Sequence, residues 1–359
     1  VLQFAPSWAT GVPSSNPNYY TYPPNNSYYA NFVRAAVNRY MPGGALAQQQ
    51  GWTDGWGITY FEIGPEYNIG DTYGTGGWMG NISQYVDMLK AGRDAVKNVC
   101  PACKVLTGGI ADDVVPNYWT PNNDGTQVWV QNSSGTWYRA YYPDGHPKVR
   151  QWVWHGVLDL YNTIQGKGGV PSSYFDILNI HTYQWKGQCQ GGANPDTARV
   201  YYWDNNTSWE QWYGDRLWNV TNIMSQKGDS TRDIWLTETG YVGGYNSDSF
   251  LGYLTESRQA DALQTVYRIS SNYPQVKKVF WWQGYDEWYT GNLGIIRLDM
   301  SAKPAYRKYG EITGKLSSFS ENAFYDYYFP WYDYVSSLVT LDGLFICNPS
   351  ISQTTGVSV

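Results

Sequence analysis

Two glutamates close short apolar runs in this 359-residue chain. Ile58-Thr-Tyr-Phe-Glu-Ile-Gly-Pro-Glu66 ends on one, and Asp233-Ile-Trp-Leu-Thr-Glu238 ends on the other. A carboxylate beside buried apolar residues is costly unless it is paired or used. Two such groups, one protonated and one ionised, suit cleavage of a glycosidic bond with retention of configuration. One carboxyl protonates the leaving oxygen while the other, about 5–5.5 Å away, attacks the anomeric carbon; a separation of about 9 Å belongs to inversion. Alternation along a strand puts Tyr60, Glu62, Gly64 and Glu66 on one face, with Glu66 uppermost, and groups Glu238 with Ile234 and Leu236. Glu62, the deeper residue, reads as a buried structural acid.

His181 and Tyr183 share a face of another apolar run, and their bland reading is a satisfied core pair. Trp281 and Trp282 are consecutive, so a regular strand turns only one of them inward as the floor of a sugar subsite. Asp112, Asp113, Asp286 and Glu287 follow strands, where acids bind water or cap helices, and we expect at most a peripheral role for them. No EF-hand spacing, Gly-x-Ser-x-Gly, phosphate-cradling glycine loop or His-Glu-x-x-His occurs. We expect neither metal nor cofactor.

Positioning such residues requires a regular frame. Helical spacing marks 28–40 (Phe32, Val33, Ala36, Val37, Tyr40), 82–98, 149–165, 208–226, 256–272 and 304–313. Between them lie runs suited to buried parallel strands at 58–63, 104–110, 175–181, 233–238 and 276–283, with another expected at Val1–Phe4. Six alternating units in a row favour an α/β fold of the TIM-type (β/α)8 barrel over an open sheet. Long segments after strands (112–147, 184–207, 241–255) and short ones after helices agree with a site at the strand C-termini. Residues 126–131 and 136–142 alternate around Asn-Ser-Ser-Gly as a hairpin, bringing Trp129, Trp137 and Tyr141 either to sugar or to a small local core. The barrel domain is expected over 1–315, with 316–359 as an aromatic-rich extension packed on it.

Composition narrows the partner. Trp numbers 19 and Tyr 34 while charged residues are 15% of the chain, which suits a polar, weakly charged ligand that stacks on aromatic faces. The net charge of −6 leaves no basic stripe for phosphates, and no apolar run is long enough to span a membrane. We therefore expect an oligo- or polysaccharide partner, no nucleic acid and no membrane. With four Cys and three His, a local Cys100–Cys103 disulfide is favoured over a zinc site or a redox motif. Asn-x-Ser/Thr sequons at Asn25, Asn81, Asn132, Asn205, Asn206 and Asn219 permit glycosylation, and we expect an extracellular protein.

The order of these motifs resembles glycoside hydrolase clan A, and within it family 39, the β-xylosidase and α-L-iduronidase group. Phe61-Glu-Ile-Gly-Pro-Glu-Tyr-Asn-Ile69 is similar to the family's strand-4 Phe-Glu-Ile-Trp-Asn-Glu-Pro-Asn, and Trp235-Leu-Thr-Glu-Thr-Gly240 to its strand-7 motif. Asp176-Ile-Leu-Asn-Ile-His-Thr-Tyr183 resembles strand 6, Val279-Phe-Trp-Trp282 strand 8, and Lys303-Pro-Ala-Tyr306 the helix after it. Ala5-Pro-Ser-Trp8 and Phe32–Tyr40 fit the third strand's end and its helix. The resemblance implies a retaining β-glycosidase with Glu66 as acid/base, Glu238 as nucleophile and Tyr183 orienting the latter. It implies sugar contact for His181, Trp8, Trp281, Trp282 and position 65. Two departures stand out. Pro65 replaces an Asn that donates to the sugar 2-hydroxyl, and proline has no such donor. The sequence also opens at the third strand, so the first two βα units are expected to be missing or replaced. Both departures give a second reading: a carbohydrate-binding protein on a catalytically impaired barrel.

Overall fold

The computed structural model describes residues 1–53, 55–64, 66–68, 77–111, 153–183, 209–241, 243, 255–286 and 292–314, with short strands at 118–119, 129–131, 137–139, 188–190 and 199–201. In chain order these form α1 (Ser7–Thr10), α2 (Asn26–Tyr40), α3 (Ala45–Gln50), β1 (Tyr60–Ile63), α4 (Ile82–Val99), β2 (Lys104–Thr107) and β3 (Ile110–Ala111). Next come β4 (Tyr118–Trp119), β5 (Trp129–Gln131), β6 (Trp137–Arg139), α5 (Val153–Gly166) and β7 (Ile177–Tyr183). The remainder is β8 (Gln188–Gln190), β9 (Arg199–Tyr201), α6 (Trp209–Gln226), β10 (Asp233–Gly240), α7 (Glu256–Ser270), β11 (Val276–Trp281) and α8 (Pro304–Ile312). This is a parallel α/β fold with the strand–helix alternation of a (β/α) barrel, of which these elements make a part. Two compact units comprise it: Val1–His181 with Arg216–Trp235, and Thr182–Asp215 with Leu236–Val359.

In the first unit β1 pairs with β2 in parallel register from Tyr60↔Lys104 to Ile63↔Thr107. The strand β7 then pairs with β2 at Leu106↔Ile177 and with β3 at Ile110↔Ile180 and Ala111↔His181. In place of the expected strand at Val1–Phe4, only Leu2 forms a bridge, parallel to Ile63. The helix α2 starts where the Asn25 side chain accepts from the Ser27 and Tyr28 amides, and α4 starts on a reciprocal Asn81–Gln84 capping box. Two sequon asparagines therefore serve as helix caps.

The buried stripe of α2 is Tyr29, Val33 and Val37, whereas Phe32 and Tyr40 are exposed. The expected stripe is thus rotated, because the Tyr29 hydroxyl reaches inward and donates to the Leu2 carbonyl at 2.6 Å. Against it α4 buries Tyr85, Val86, Leu89 and Val96. The Tyr85 hydroxyl donates to the Ile63 carbonyl (3.1 Å) and accepts from the Gly108 amide (2.7 Å), tying α4 to the ends of β1 and β2. Cys100 and Cys103 are joined as a disulfide just past the end of α4. The hairpin pairs β5 with β6 antiparallel from Trp129↔Arg139 to Gln131↔Trp137, and β4 adds to β5; the surroundings of Trp129 and Trp137, together with residues 315–359, lie outside the described residues.

In the second unit the Leu236–Gly240 part of β10 neighbours β11, and α7 buries Ala260, Leu263 and Val266. Two buried polar side chains fasten the segments that follow β10 and β11. Gln259 Nε2 donates to the carbonyls of Tyr241 (2.7 Å), Leu293 (3.2 Å) and Gly294 (3.2 Å). Lys303 Nζ donates to Gly243 O (3.1 Å), Asn292 O (3.2 Å) and Asp286 Oδ1 (2.7 Å). Among the described residues no helix is long and apolar enough to cross a membrane.

Candidate active site

Glu66 does not continue the β1 face. The strand ends at Ile63, and Gly64 takes the left-handed φ of 91°, which breaks the alternation expected through Glu66. A side chain at Gly64 would meet Met88 Cε at 2.8 Å and Tyr85 Cε2 at 2.9 Å, so glycine is required by space as well as by φ. Beyond this turn the half-exposed Glu66 carboxylate meets the buried His181, with Oε1 and Nδ1 2.6 Å apart. One proton suffices for this bond: Nδ1–H donates to a carboxylate, or a protonated Glu66 donates to a bare Nδ1. The arrangement suits a carboxyl group that gives and regains a proton.

His181 fits because Gly108-Gly109 precede β3. A Cβ on Gly109 would lie 2.1 Å from the imidazole Cε1 and Nε2. Beside it, Asn68 Nδ2 donates to the Ala111 carbonyl at 2.5 Å and its Oδ1 accepts from the Ala111 amide at 3.0 Å. Between Glu66 and Asn68, Tyr67 donates to the Gly156 carbonyl (2.8 Å) and stacks on Tyr85 with centroids 4.0 Å apart. Asn68 falls on the last Asn of the strand-4 motif that the sequence resembles but carries no role there, and Gly109 is not prominent. The one local signal is glycine beside a strand, a mark of close backbone approach.

The second unit carries the other carboxylate. Glu238 is half-buried near the end of β10, and the Tyr183 hydroxyl donates to its Oε2 at 2.6 Å. An O–H donor at this distance favours the ionised carboxylate and fixes its orientation. Next to it Thr239 Oγ1 donates to the Thr182 carbonyl at 2.8 Å, and a Cβ on Gly240 would meet the Trp282 carbonyl at 2.2 Å and the Tyr183 ring at 3.4 Å. Bare backbone is what lets these groups approach.

Other expected contacts are distributed differently. Trp281 is the inward member of its pair, buried with Val279 and stacked against Tyr241 at 5.7 Å, and its buried indole N–H has no acceptor among the described residues. Trp282, just past β11, is half-buried. Trp8 lies on α1, 69% exposed, edge-on to Tyr28 at 5.4 Å. Position 65 lies outside the described residues, as do Asp112, Asp113 and Glu287. Asp286 is no solvated loop acid: it is buried against Lys303. Burial pushes the Asp286 carboxyl up against the pull of Lys303, and burial lowers the Lys303 ammonium against the pull of Asp286. Glu62 is buried, and after burial itself its charge is what holds the Tyr29 hydroxyl above the ordinary range.

No family model and no curated protein matches the chain. Solved structures similar to it include a glucosidase from Croceicoccus marinus, with 16% identity, a TM-score of 0.47, and 80% of this chain against 46% of that one covered. A monomeric β-xylosidase from Caulobacter crescentus CB15 has 13% identity, a TM-score of 0.46 and coverages of 80% and 47%. A GH39 enzyme from Xanthomonas axonopodis pv. citri has 13% identity, a TM-score of 0.45 and coverages of 82% and 46%. The chain thus spans less than half the length of each.

Proposed function

We propose that this chain is a retaining β-glycoside hydrolase acting on oligo- or polysaccharide outside the cell, with Glu66 as acid/base and Glu238 as nucleophile. The observation that carries the reading is the partner each carboxylate holds. His181 meets Glu66 and Tyr183 meets Glu238, each at 2.6 Å. A histidine is a proton-exchanging partner, as an acid/base requires; the tyrosine hydroxyl here donates to the carboxylate and holds its proton near neutral pH, as an ionised nucleophile requires. His181 and Tyr183 are alternate residues of β7, and alternate residues share a face. Retention requires both carboxylates at one glycosidic bond.

In the first step Glu238 attacks the anomeric carbon, the bond to the leaving oxygen breaks, and the Glu66 proton goes to that oxygen. In the second, Glu66 takes a proton from water, whose oxygen attacks the same carbon and releases Glu238. The experiment is a screen of aryl β-glycosides and polysaccharides, with the first-formed anomer followed by proton NMR and Glu238→Ala as control. Initial release of the β-anomer by the native chain, abolished in Glu238→Ala, is the expected result. The α-anomer would replace retention with inversion. Sugar binding without turnover in both proteins would favour the impaired-barrel reading that Pro65 motivates.

A further inference from the structure

The segment that carries Glu66 is held by a closed circuit of contacts. From Glu66 the backbone runs two residues to Asn68, whose side-chain amide makes both bonds of a β-ladder pair with Ala111, at 2.5 and 3.0 Å. Ala111 is the register partner of His181 in the β3–β7 pair. The imidazole of His181 returns to Glu66 at 2.6 Å. Asn68 is 7% exposed, and its side chain packs so close to Gly156 that a Cβ there would meet Asn68 Cβ at 3.3 Å and Ile110 Cγ2 at 2.7 Å. The last residue of β3 therefore takes a side chain where another strand would offer backbone. A carboxamide alone fits the task, since it donates to a carbonyl and accepts from an amide while bringing no charge near Glu66.

We propose that Asn68 is a positioning residue that fixes the Glu66 carboxyl against His181 by docking the Glu66–Asn68 segment onto Ala111, and so sets how effectively Glu66 delivers its proton. The proposal rests on Glu66 being the acid/base. Asn68→Asp keeps the shape but sets an oxygen against the Ala111 carbonyl, and Asn68→Ala removes both bonds.

The test compares the full chain with both variants on two aryl β-glycosides of one sugar, one bearing 2,4-dinitrophenol and one bearing phenol. Dinitrophenolate leaves without protonation; phenol needs the acid. Expected is a fall in kcat/KM of about 100-fold on the phenyl glycoside, the scale of a 1 Å misplacement, with a much smaller fall on the dinitrophenyl one. Equal losses on both substrates would overturn the role, because general damage to the fold does not select by leaving group. A second readout needs no turnover: NMR titration of the His181 imidazole, identified by its absence in His181→Asn. Losing a carboxylate partner lowers an imidazole pKa, so Asn68→Ala is expected to titrate at lower pH than the native chain. An unmoved His181 titration overturns the clamp. A chain that cleaves neither glycoside, yet whose His181 titration moves in Asn68→Ala, upholds the clamp and overturns the acid/base reading of Glu66.

Discussion

The imidazole of His181 occupies the space that any side chain at Gly109 would need, with ring atoms 2.1–2.5 Å from an added Cβ. Gly109→Ala must therefore move either the ring, which is 4% exposed and bonded to Glu66, or the backbone leading into β3. Overpacking of this kind costs about 1–3 kcal/mol. We expect a lower urea midpoint, together with a loss of activity on the phenyl glycoside greater than on the dinitrophenyl one. An unchanged midpoint with both activities intact would show that His181 does not need its present place.

Tyr183→Phe removes one oxygen and leaves the ring. The lost bond is charge-assisted, worth about 1.5–3 kcal/mol, which corresponds to about 10- to 150-fold in rate. On the proposed reading kcat/KM falls by that factor on both aryl glycosides alike, since the nucleophile serves every substrate. Stability should fall by no more than the same amount, because water reaches the half-buried Tyr183 and replaces part of the bond. A loss confined to the phenyl glycoside would assign Tyr183 to the proton donor instead.

How much of this was legible beforehand depends on the range of the interactions. The alternation of strands and helices reads directly from periodicity: the expected helix at 82–98 is Ile82–Val99, started by an Asn81–Gln84 box that is local in sequence. The expected strand at 175–181 is Ile177–Tyr183. Most of what differs was decided at long range; the Gly64 turn, two residues before Glu66, is the local exception. The core face of α2 is set by a Tyr29 bond to Leu2, 27 residues away, so Phe32 fits the sequence pattern but faces solvent. The turn at Gly64 took Glu66 off the face that strand alternation assigned to it. Asn68 and Ala111 are 43 residues apart, and nothing near either announces the pair. Asp286 looked like a solvated acid because Lys303, its partner, comes 17 residues later in another element.

The Lys303–Asp286 pair makes a prediction of its own. Side chains only 1% and 6% exposed hold both charges away from water, and burial opposes ionisation of each. Removing one partner of such a pair costs about 3–5 kcal/mol, whereas replacing both by apolar residues is often neutral or better. Lys303→Met alone should lower stability by that amount. Adding Asp286→Leu should recover part of it, but not all, because Lys303 also satisfies the Gly243 and Asn292 carbonyls. Urea unfolding of the two singles and the double measures the coupling, and strictly additive losses would mean that the charges do not interact.

Alkaline unfolding should be governed by buried tyrosines. Burial is the leading cause that holds the hydroxyls of Tyr29, Tyr67, Tyr85 and Tyr161 above the ordinary value near 10. Each has a bonded role: Tyr29 to Leu2, Tyr67 to Gly156, Tyr85 to Ile63 and Tyr161 to Asp229. A raised folded-state pKa gives stability that is fully present below the unfolded value and is lost as pH rises above it. Over this range the unfolded chain sheds protons that the folded chain keeps, so each group removes about 1.4 kcal/mol per pH unit. Stability should thus be insensitive to these four below pH 10 and fall above it by about 5–6 kcal/mol per unit. Absorbance at 295 nm should rise in two stages, with exposed tyrosines titrating smoothly first. The buried set should then appear together with loss of circular dichroism. If all tyrosines ionised smoothly while the fold persisted, these four hydroxyls would be accessible and the alkaline limit would have another cause.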